Sequence, residues 1–259
     1  MDPARHTVSF SVVIPVYNGA DTICRAVDSV LQQRLSPAQV IVADDASTDD
    51  TVGILKRKYG DRILVVEMKT NGGPAAARNK GIEAATGDYV AFLDDDDIWH
   101  TDKLTIVANA IAAQPDAHLI FHNYTLHDFD AHIGRNILPP FSVRFSQLLP
   151  GNFISTSCAV IRNGHGYRFD SDMRYTEDYD LWLRIVYSQP AYGIDQNLTR
   201  LFRGITSPGG ISSNTWLMRV GEMKAYTHLV KLNVLFGLAV PFLILWSLAK
   251  HLFKLVIRS

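Results

Sequence analysis

Four carboxylates in a row, Asp94-Asp95-Asp96-Asp97, close the apolar run Tyr89-Val-Ala-Phe-Leu93. Side chains of one sign at this spacing repel one another unless a cation or solvent neutralises them. Where a buried strand runs out, they can converge on a hard divalent ion such as Mg²⁺ or Mn²⁺, which takes oxygen ligands and holds phosphates. By itself the run fits a solvated turn equally well. Other polar groups give it a chemical reading: Tyr17-Asn18, Asp44-Asp45 and Asn71 each follow an apolar run of their own. Asp44 or Asp45 can accept a hydrogen bond from a nucleobase N–H, and Tyr17 can stack on that base. A metal on Asp94 and Asp96 can bridge two phosphates, with Arg78 as an added positive charge. A second carboxylate pair, Glu177-Asp178, opens a segment carrying Leu181, Trp182, Ile185 and Val186. A helix N-terminus stabilises negative charge there, and a carboxylate so placed can take the proton from an acceptor hydroxyl.

The elements that must position these groups follow from periodicity. Val8–Ile14 reads as a buried strand, and Val40–Ala43, Ile63–Val66 and Tyr89–Leu93 as three further strands. Between them, Ile23, Ala26, Val27, Val30 and Leu31 recur at helical spacing, a second helix is predicted to reach Tyr59, and Gly72-Gly73-Pro74 opens an alanine-rich third that Gly87 closes. A β-α-β-α-β-α-β order predicts a doubly wound, mostly parallel sheet. Ligands sit outside the carboxyl ends of such strands, which is where the polar groups fall. A helix is predicted from Thr101 to about Gln114, residues 115–150 are loop-rich, Ser155–Ile161 reads as a strand, and Gly204–Asn214 as a mobile flap. The chain is expected to divide into a nucleotide-binding half (1–114), an acceptor-binding and catalytic half of the same domain (115–215), and a C-terminal helical segment (216–259).

Charge is uneven along the chain. From Trp216 onward there are six basic residues, Arg219, Lys224, Lys231, Lys250, Lys254 and Arg258, against one acid, Glu222. Subtracting these from totals of 25 and 26 leaves 19 basic and 25 acidic groups in residues 1–215, a net of −6. A nucleic-acid footprint needs a broad positive surface and is excluded. Two cysteines, Cys24 and Cys158, give neither a disulfide framework nor metal-ligand spacing, which suits a reducing compartment. The polar start Met1-Asp-Pro-Ala-Arg-His has no signal-peptide character. Leu232–Ala249, whose clearly polar members are Asn233 and Ser247, is an expected hydrophobic helix of roughly 27 Å. With flanking lysines and Pro241 in its middle, it reads as a short tail anchor or as a helix lying in the interface at the cytoplasmic face of a membrane.

Five segments taken together resemble the successive motifs of family 2 glycosyltransferases: Val12-Val-Ile-Pro-Val-Tyr-Asn18, Asp44-Asp-Ala-Ser-Thr-Asp49, Asn71-Gly-Gly-Pro-Ala-Ala-Ala-Arg-Asn79, Phe92-Leu-Asp-Asp-Asp-Asp-Ile-Trp99 and Glu177-Asp-Tyr-Asp-Leu-Trp-Leu-Arg184. The resemblance runs in order from about Val8 to Ser213. It implies a GT-A fold and an inverting, metal-dependent transferase that uses Mn²⁺ or Mg²⁺ and a nucleotide-sugar donor, UDP-sugars by default. It implies further that Asp94 and Asp96 form the metal motif and that Asp178 is the general base. Pro15, Tyr17, Asp44, Asp45, Asn71, Arg78 and Asp95 fall at donor-binding positions. Leu201-Phe-Arg203 through Ser212 resembles the family's closing loop without its histidine, which leaves Arg203 for the phosphate contact. The implied acceptor is a glycan or a lipid-linked hydroxyl.

Three other classes bear on this reading. A receiver domain gathers acids at strand ends but has no use for Glu177-Asp178. Nucleotide-sugar synthesis usually calls for a glycine-rich phosphate loop near the N-terminus, which is missing. A non-catalytic nucleotide-sugar-binding module remains the alternative. His118, His122, His127 and His132 are spaced across a strand and an irregular loop, and they predict acceptor-loop surface rather than a metal site.

Overall fold

The computed structural model describes residues 8–130, 133, 138–202 and 213–258. Strands β1 (Phe10–Val16), β2 (Gln39–Asp44), β3 (Leu64–Glu67) and β4 (Tyr89–Phe92) form a parallel group in the order β3-β2-β1-β4. All seven residues of β1 are buried, as a strand flanked on both edges and covered on both faces requires. Its side chains alternate between two cores. Val12 and Ile14 pack with Ile23, Val27, Val30, Leu55 and Leu104 on one face. Val13 packs with Ile82, Phe92, Trp182 and Tyr226 on the other. Helices α1 (Ile23–Leu31), α2 (Thr51–Tyr59) and α4 (Lys103–Ala113) contribute to the first core, and α3 (Gly73–Ala84) to the second.

Register sets the rim. Val16 pairs with Asp44 and Asp44 with Glu67, while the Leu93 amide donates to the Val13 carbonyl at 3.1 Å. Tyr17, Asp45 and the acidic run therefore leave the sheet along one edge.

Beyond β4 the sheet is mixed. β8 (Ala159–Arg162) runs antiparallel between β4 and β6 (Leu119–Thr125), and β6 pairs in parallel with β9 (Ala191–Arg200). The two-residue strands β5 (Ile98–Trp99) and β7 (Phe141–Ser142) pair antiparallel with β9. A four-residue helix, α5 (Phe145–Leu148), follows β7, and α6 (Glu177–Ser188) follows β8. A strand is expected among His118–His132, where β6 lies, but periodicity gives it no bounds and predicts no strand at β9. Their pairing shifts register at His122/Asn123 and Asn123/Tyr124, and such irregular strands carry little alternation.

The C-terminal expectation needs correction. Residues 232–249 do not form one hydrophobic helix. Helix α7 (Thr215–Leu232) ends at Asn233, which adopts an extended backbone and accepts a hydrogen bond from the Leu235 amide (3.0 Å), and α8 (Phe236–Arg258) begins beyond it. An asparagine there ends the helix by offering the backbone a local partner. Among the described residues, no helix is long and apolar enough to cross a membrane.

Gly81 is where α3 closes on the sheet: a Cβ there would lie 2.3 Å from Val13 Cγ1. In a free helix, Gly→Ala stabilises by about 0.5–1 kcal/mol. Here Gly81→Ala is expected to destabilise by about 1–3 kcal/mol through overpacking. Urea unfolding measures the sign, and a stabilised variant would contradict this packing.

Candidate active site

Arg78 projects from α3 into the second core and is almost fully buried. Its Nη1 donates to Glu177 Oε1 at 2.7 Å and its Nη2 to Asp94 Oδ1 at 2.8 Å. One guanidinium thus ties the end of β4 to the start of α6. The two carboxylates hold Arg78 protonated despite its burial. Burial raises the Glu177 carboxyl, with Arg78 opposing. Arg78 is therefore committed to protein carboxylates, and only its Nε lacks a partner among the described residues.

Asp178 is the next residue and is more open. Its Oδ2 accepts from Asn152 Nδ2 at 2.9 Å and from Thr156 Oγ1 at 3.4 Å. Burial raises its pKa, against the Tyr179 amide, Arg78 and Asn152, which makes the carboxylate a stronger base.

The four acids of the run diverge. Asp94 accepts from Arg78. Asp95 Oδ2 accepts from Thr22 Oγ1 at 2.8 Å, and burial pushes its carboxyl up to about 6. The Asp96 carbonyl accepts from Arg25 Nη2 at 2.8 Å. Asp97 is buried, accepts from Ser157 Oγ at 2.7 Å, and is pushed up to about 8 by burial and by Asp94 and Asp96. Ser157 organises this turn. Its Oγ also accepts from the Asp94 amide (3.1 Å), and its carbonyl accepts from Trp99 Nε1 (2.9 Å). Asn152 sits in an irregular segment without a sequence signal, and Ser157 sits in a 3₁₀ turn (Thr156–Cys158) where a strand from Ser155 is expected, β8 beginning only at Ala159.

At the other strand ends, Pro15 is buried in β1 opposite Ala43, and Tyr17 is half exposed just beyond it. Asp45 spends both oxygens on the start of α3, accepting from the Gly72 and Gly73 amides at 2.7 Å each. Asp44 Oδ2 accepts from the Ser47 amide at 3.0 Å, while its buried Oδ1 has no partner among the described residues. Of this pair, only Asp44 keeps an acceptor oxygen without a partner. Asn71 is exposed immediately before Gly72.

Backbone strain marks the same rim. The three described non-glycine residues with positive φ are Asn18 (52°), Ala46 (61°) and Thr176 (56°). They adjoin Tyr17, Asp45 and Glu177, and Thr176 is β-branched. Such conformations cost of order 1–3 kcal/mol each and persist where the surroundings over-determine them.

This arrangement coincides with a family match: the model "Glycosyl transferase family 2" covers residues 11–173. The chain belongs to that family. It is 34% identical over 228 residues to the putative teichuronic acid biosynthesis glycosyltransferase TuaG of Bacillus subtilis (86% of this chain, 89% of the relative). It is 31% identical over 206 residues to the UDP-Glc:alpha-D-GlcNAc-diphosphoundecaprenol beta-1,3-glucosyltransferase WfaP of Escherichia coli (79% and 80%). In fold it is similar to S. aureus TarS 1-349 in complex with UDP-GlcNAc, with a TM-score of 0.69, 20% identity, and coverage of 86% of this chain and 66% of that one.

Of the family's closing-loop positions, Arg203 and residues 204–212 lie outside the described residues, as does His132. Phe202 is described: its amide reaches Asp97 Oδ1 at 3.4 Å, and the Arg25 guanidinium sits 3.6 Å from its ring centroid. The loop therefore begins at the acidic run. His118 contacts Tyr167, while His122 is buried, and the two do not converge.

Asp97 gives a pH signature. Its folded pKa of about 8 exceeds the ordinary 3.8, so between these values the folded chain holds a proton that the unfolded chain has released. The contribution to stability is complete below 3.8 and is lost as pH rises through about 8. In metal-free buffer, urea midpoints at about pH 5 and pH 8.5 are expected to show this fall, and Asp97→Asn to reduce it, the raised carboxyls of Asp95, Glu177 and Asp178 contributing the remainder. An equal fall in the variant would exclude Asp97 as its source.

Proposed function

We propose that this family 2 member is an inverting, metal-dependent glycosyltransferase. It would move a sugar from a UDP-sugar to a hydroxyl of a lipid-linked glycan at the cytoplasmic face of a membrane. The observation that carries this reading is the double ion pair of Arg78. It holds a diphosphate-side carboxylate, Asp94, and the segment bearing a proton acceptor, Asp178, on one rigid group. WfaP, a UDP-Glc:alpha-D-GlcNAc-diphosphoundecaprenol beta-1,3-glucosyltransferase, supports the donor and acceptor classes.

In this reading Tyr17 stacks on the base and Asp44 Oδ1 accepts its N–H. Asp178, fixed by Asn152 and Thr156, takes the proton from the acceptor hydroxyl. The acceptor oxygen then bonds to the anomeric carbon from the face opposite the nucleotide. The carbon–oxygen bond to the diphosphate breaks, and the configuration inverts. A carboxylate already oriented by Asn152 and Thr156 would act as base without reorganisation.

The all-oxygen donor set of Asp94 and Asp96 fits Mn²⁺ or Mg²⁺. No group of three or more His, Cys, Asp or Glu side chains able to hold a metal is found among the described residues. Protein ligands would thus be few, and substrate phosphates would complete the shell, as is usual for Mg²⁺. A bound ion would supply positive charge to the departing diphosphate.

The test is release of nucleoside diphosphate from a panel of nucleotide sugars, with Mn²⁺ or with chelator. Release is expected from a UDP-sugar and is expected to stop with chelator. Asp178→Asn is expected to lower transfer about 10²–10⁴-fold while donor affinity, measured by calorimetry, stays within a few-fold. Turnover near the wild-type rate would remove Asp178 as the base. A panel in which no donor binds or reacts would defeat the transferase reading.

A further inference from the structure

Helix α8 is amphipathic in the wrong sense for a helix against water. Every exposed position among residues 236–252 is apolar or glycine. Leu238, Phe242, Leu245, Ala249 and Leu252 recur at helical spacing, with Trp246 beside them, and exposure reaches 77% at Leu238 and 73% at Phe242. Val234 and Leu235 extend the stripe into the turn before α8. The polar side chains point inward instead. Ser247 is buried and donates to Glu222 Oε2 at 3.1 Å; Lys250 pairs with Glu222 and donates to the Pro150 carbonyl at 2.7 Å. Contiguous exposed apolar surface of this kind marks an interaction site.

We infer that the α7–α8 hairpin lies flat on an anionic lipid bilayer, with the apolar stripe of α8 among the acyl chains and the acceptor side of the catalytic rim at the membrane surface. Charge selects this occupant. The hairpin's one acid, Glu222, is buried and paired with Arg219 and Lys250, so the hairpin offers no exposed carboxylate. Lys231 is exposed where the stripe begins. It also lines an open pocket of about 260 Å³ with Arg168, Arg184, Asp170, Asp180, His228 and Leu232. With six basic residues against one acid from Trp216 onward and a net of −6 over the rest of the chain, an anionic surface attracts the hairpin and repels the remainder, which orients the molecule. A symmetric contact between two copies would bring like-charged hairpins together.

The hairpin also reaches the site. Trp246 Nε1 and Lys250 Nζ both donate to the Pro150 carbonyl, at 3.1 and 2.7 Å, and the Tyr226 hydroxyl donates to the Leu149 carbonyl at 3.2 Å. Two residues after Pro150, Asn152 donates to Asp178. A sugar on a lipid diphosphate could meet Asp178 while its tail stays in the bilayer. This placement of the acceptor rests on the transferase reading; the lipid contact does not.

The test is flotation of the full chain with vesicles of phosphatidylglycerol and phosphatidylcholine, and with phosphatidylcholine alone. The wild type is expected to float with the anionic vesicles only. The triple variant Leu238→Gln/Phe242→Gln/Leu245→Gln is expected to float at least tenfold less, with an unchanged urea midpoint and donor hydrolysis. Lys231→Glu is expected to weaken flotation in a salt-dependent way. Amide exchange at residues 148–152 is expected to slow on the anionic vesicles. Recovery of the wild type in the bottom fraction with both vesicles, or equal flotation with both, would overturn the inference. So would a dimer in sedimentation equilibrium that the triple variant dissociates, which would make a second copy the occupant. Normal flotation by a chain inert towards every nucleotide sugar would leave the lipid face standing and sink the transferase reading alone.

Discussion

The site depends on one buried cation. Arg78 lies on helix α3, which packs against β1 and β2, and it pairs with Asp94 on one side and Glu177 on the other. These partners lie 16 and 99 residues away in sequence. A buried guanidinium is tolerated only when its charge is compensated, and its fork geometry fixes both partners in direction as well as distance. Gly81, three residues later on the same helix, lets α3 approach Val13 closely enough for Arg78 to reach both carboxylates.

A second layer of fixed groups surrounds this pair. Ser157 holds the backbone of the acidic run, Asn152 and Thr156 hold Asp178, and the Gly72 and Gly73 amides hold Asp45. The left-handed conformations at Asn18, Ala46 and Thr176 are carried by this surrounding structure. The described non-glycine residues with positive φ thus all adjoin this rim, beside the buried charges of Asp44, Asp45, Arg78, Asp97 and Glu177. The loop from Leu148 to Asn152 links the rim to the C-terminal hairpin, so the hairpin is part of its scaffold.

Much of the first half was legible in the sequence. The short apolar runs ending at Pro15, Asp44, Glu67 and Leu93 alternate with helical segments and so predict a parallel sheet; three of them are buried, while the β3 run lies at the sheet's edge with Leu64 and Glu67 exposed. The polar residues just beyond those runs therefore had to share a rim. The second half was less legible. β6 and β9 pair through register shifts, and Ser157 and Asn152 act through loop geometry that no periodicity reports.

What the sequence determined by itself was the set of groups and the edge they occupy: the acidic run, Asp44-Asp45, Arg78, Glu177-Asp178, and a C-terminal segment both basic and apolar. Tertiary structure decided their commitments. Arg78 could be a surface charge or a phosphate ligand until burial placed it between two carboxylates. Asp44 and Asp45 were equivalent until the amides at the start of α3 took both oxygens of Asp45. The hydrophobic tail read as one helix until Asn233 divided it and Glu222 drew Ser247 and Lys250 inward, leaving the apolar face outside. In each case the deciding term is the cost of burying a polar or charged group without a partner, and that cost depends on contacts made at long range in the chain.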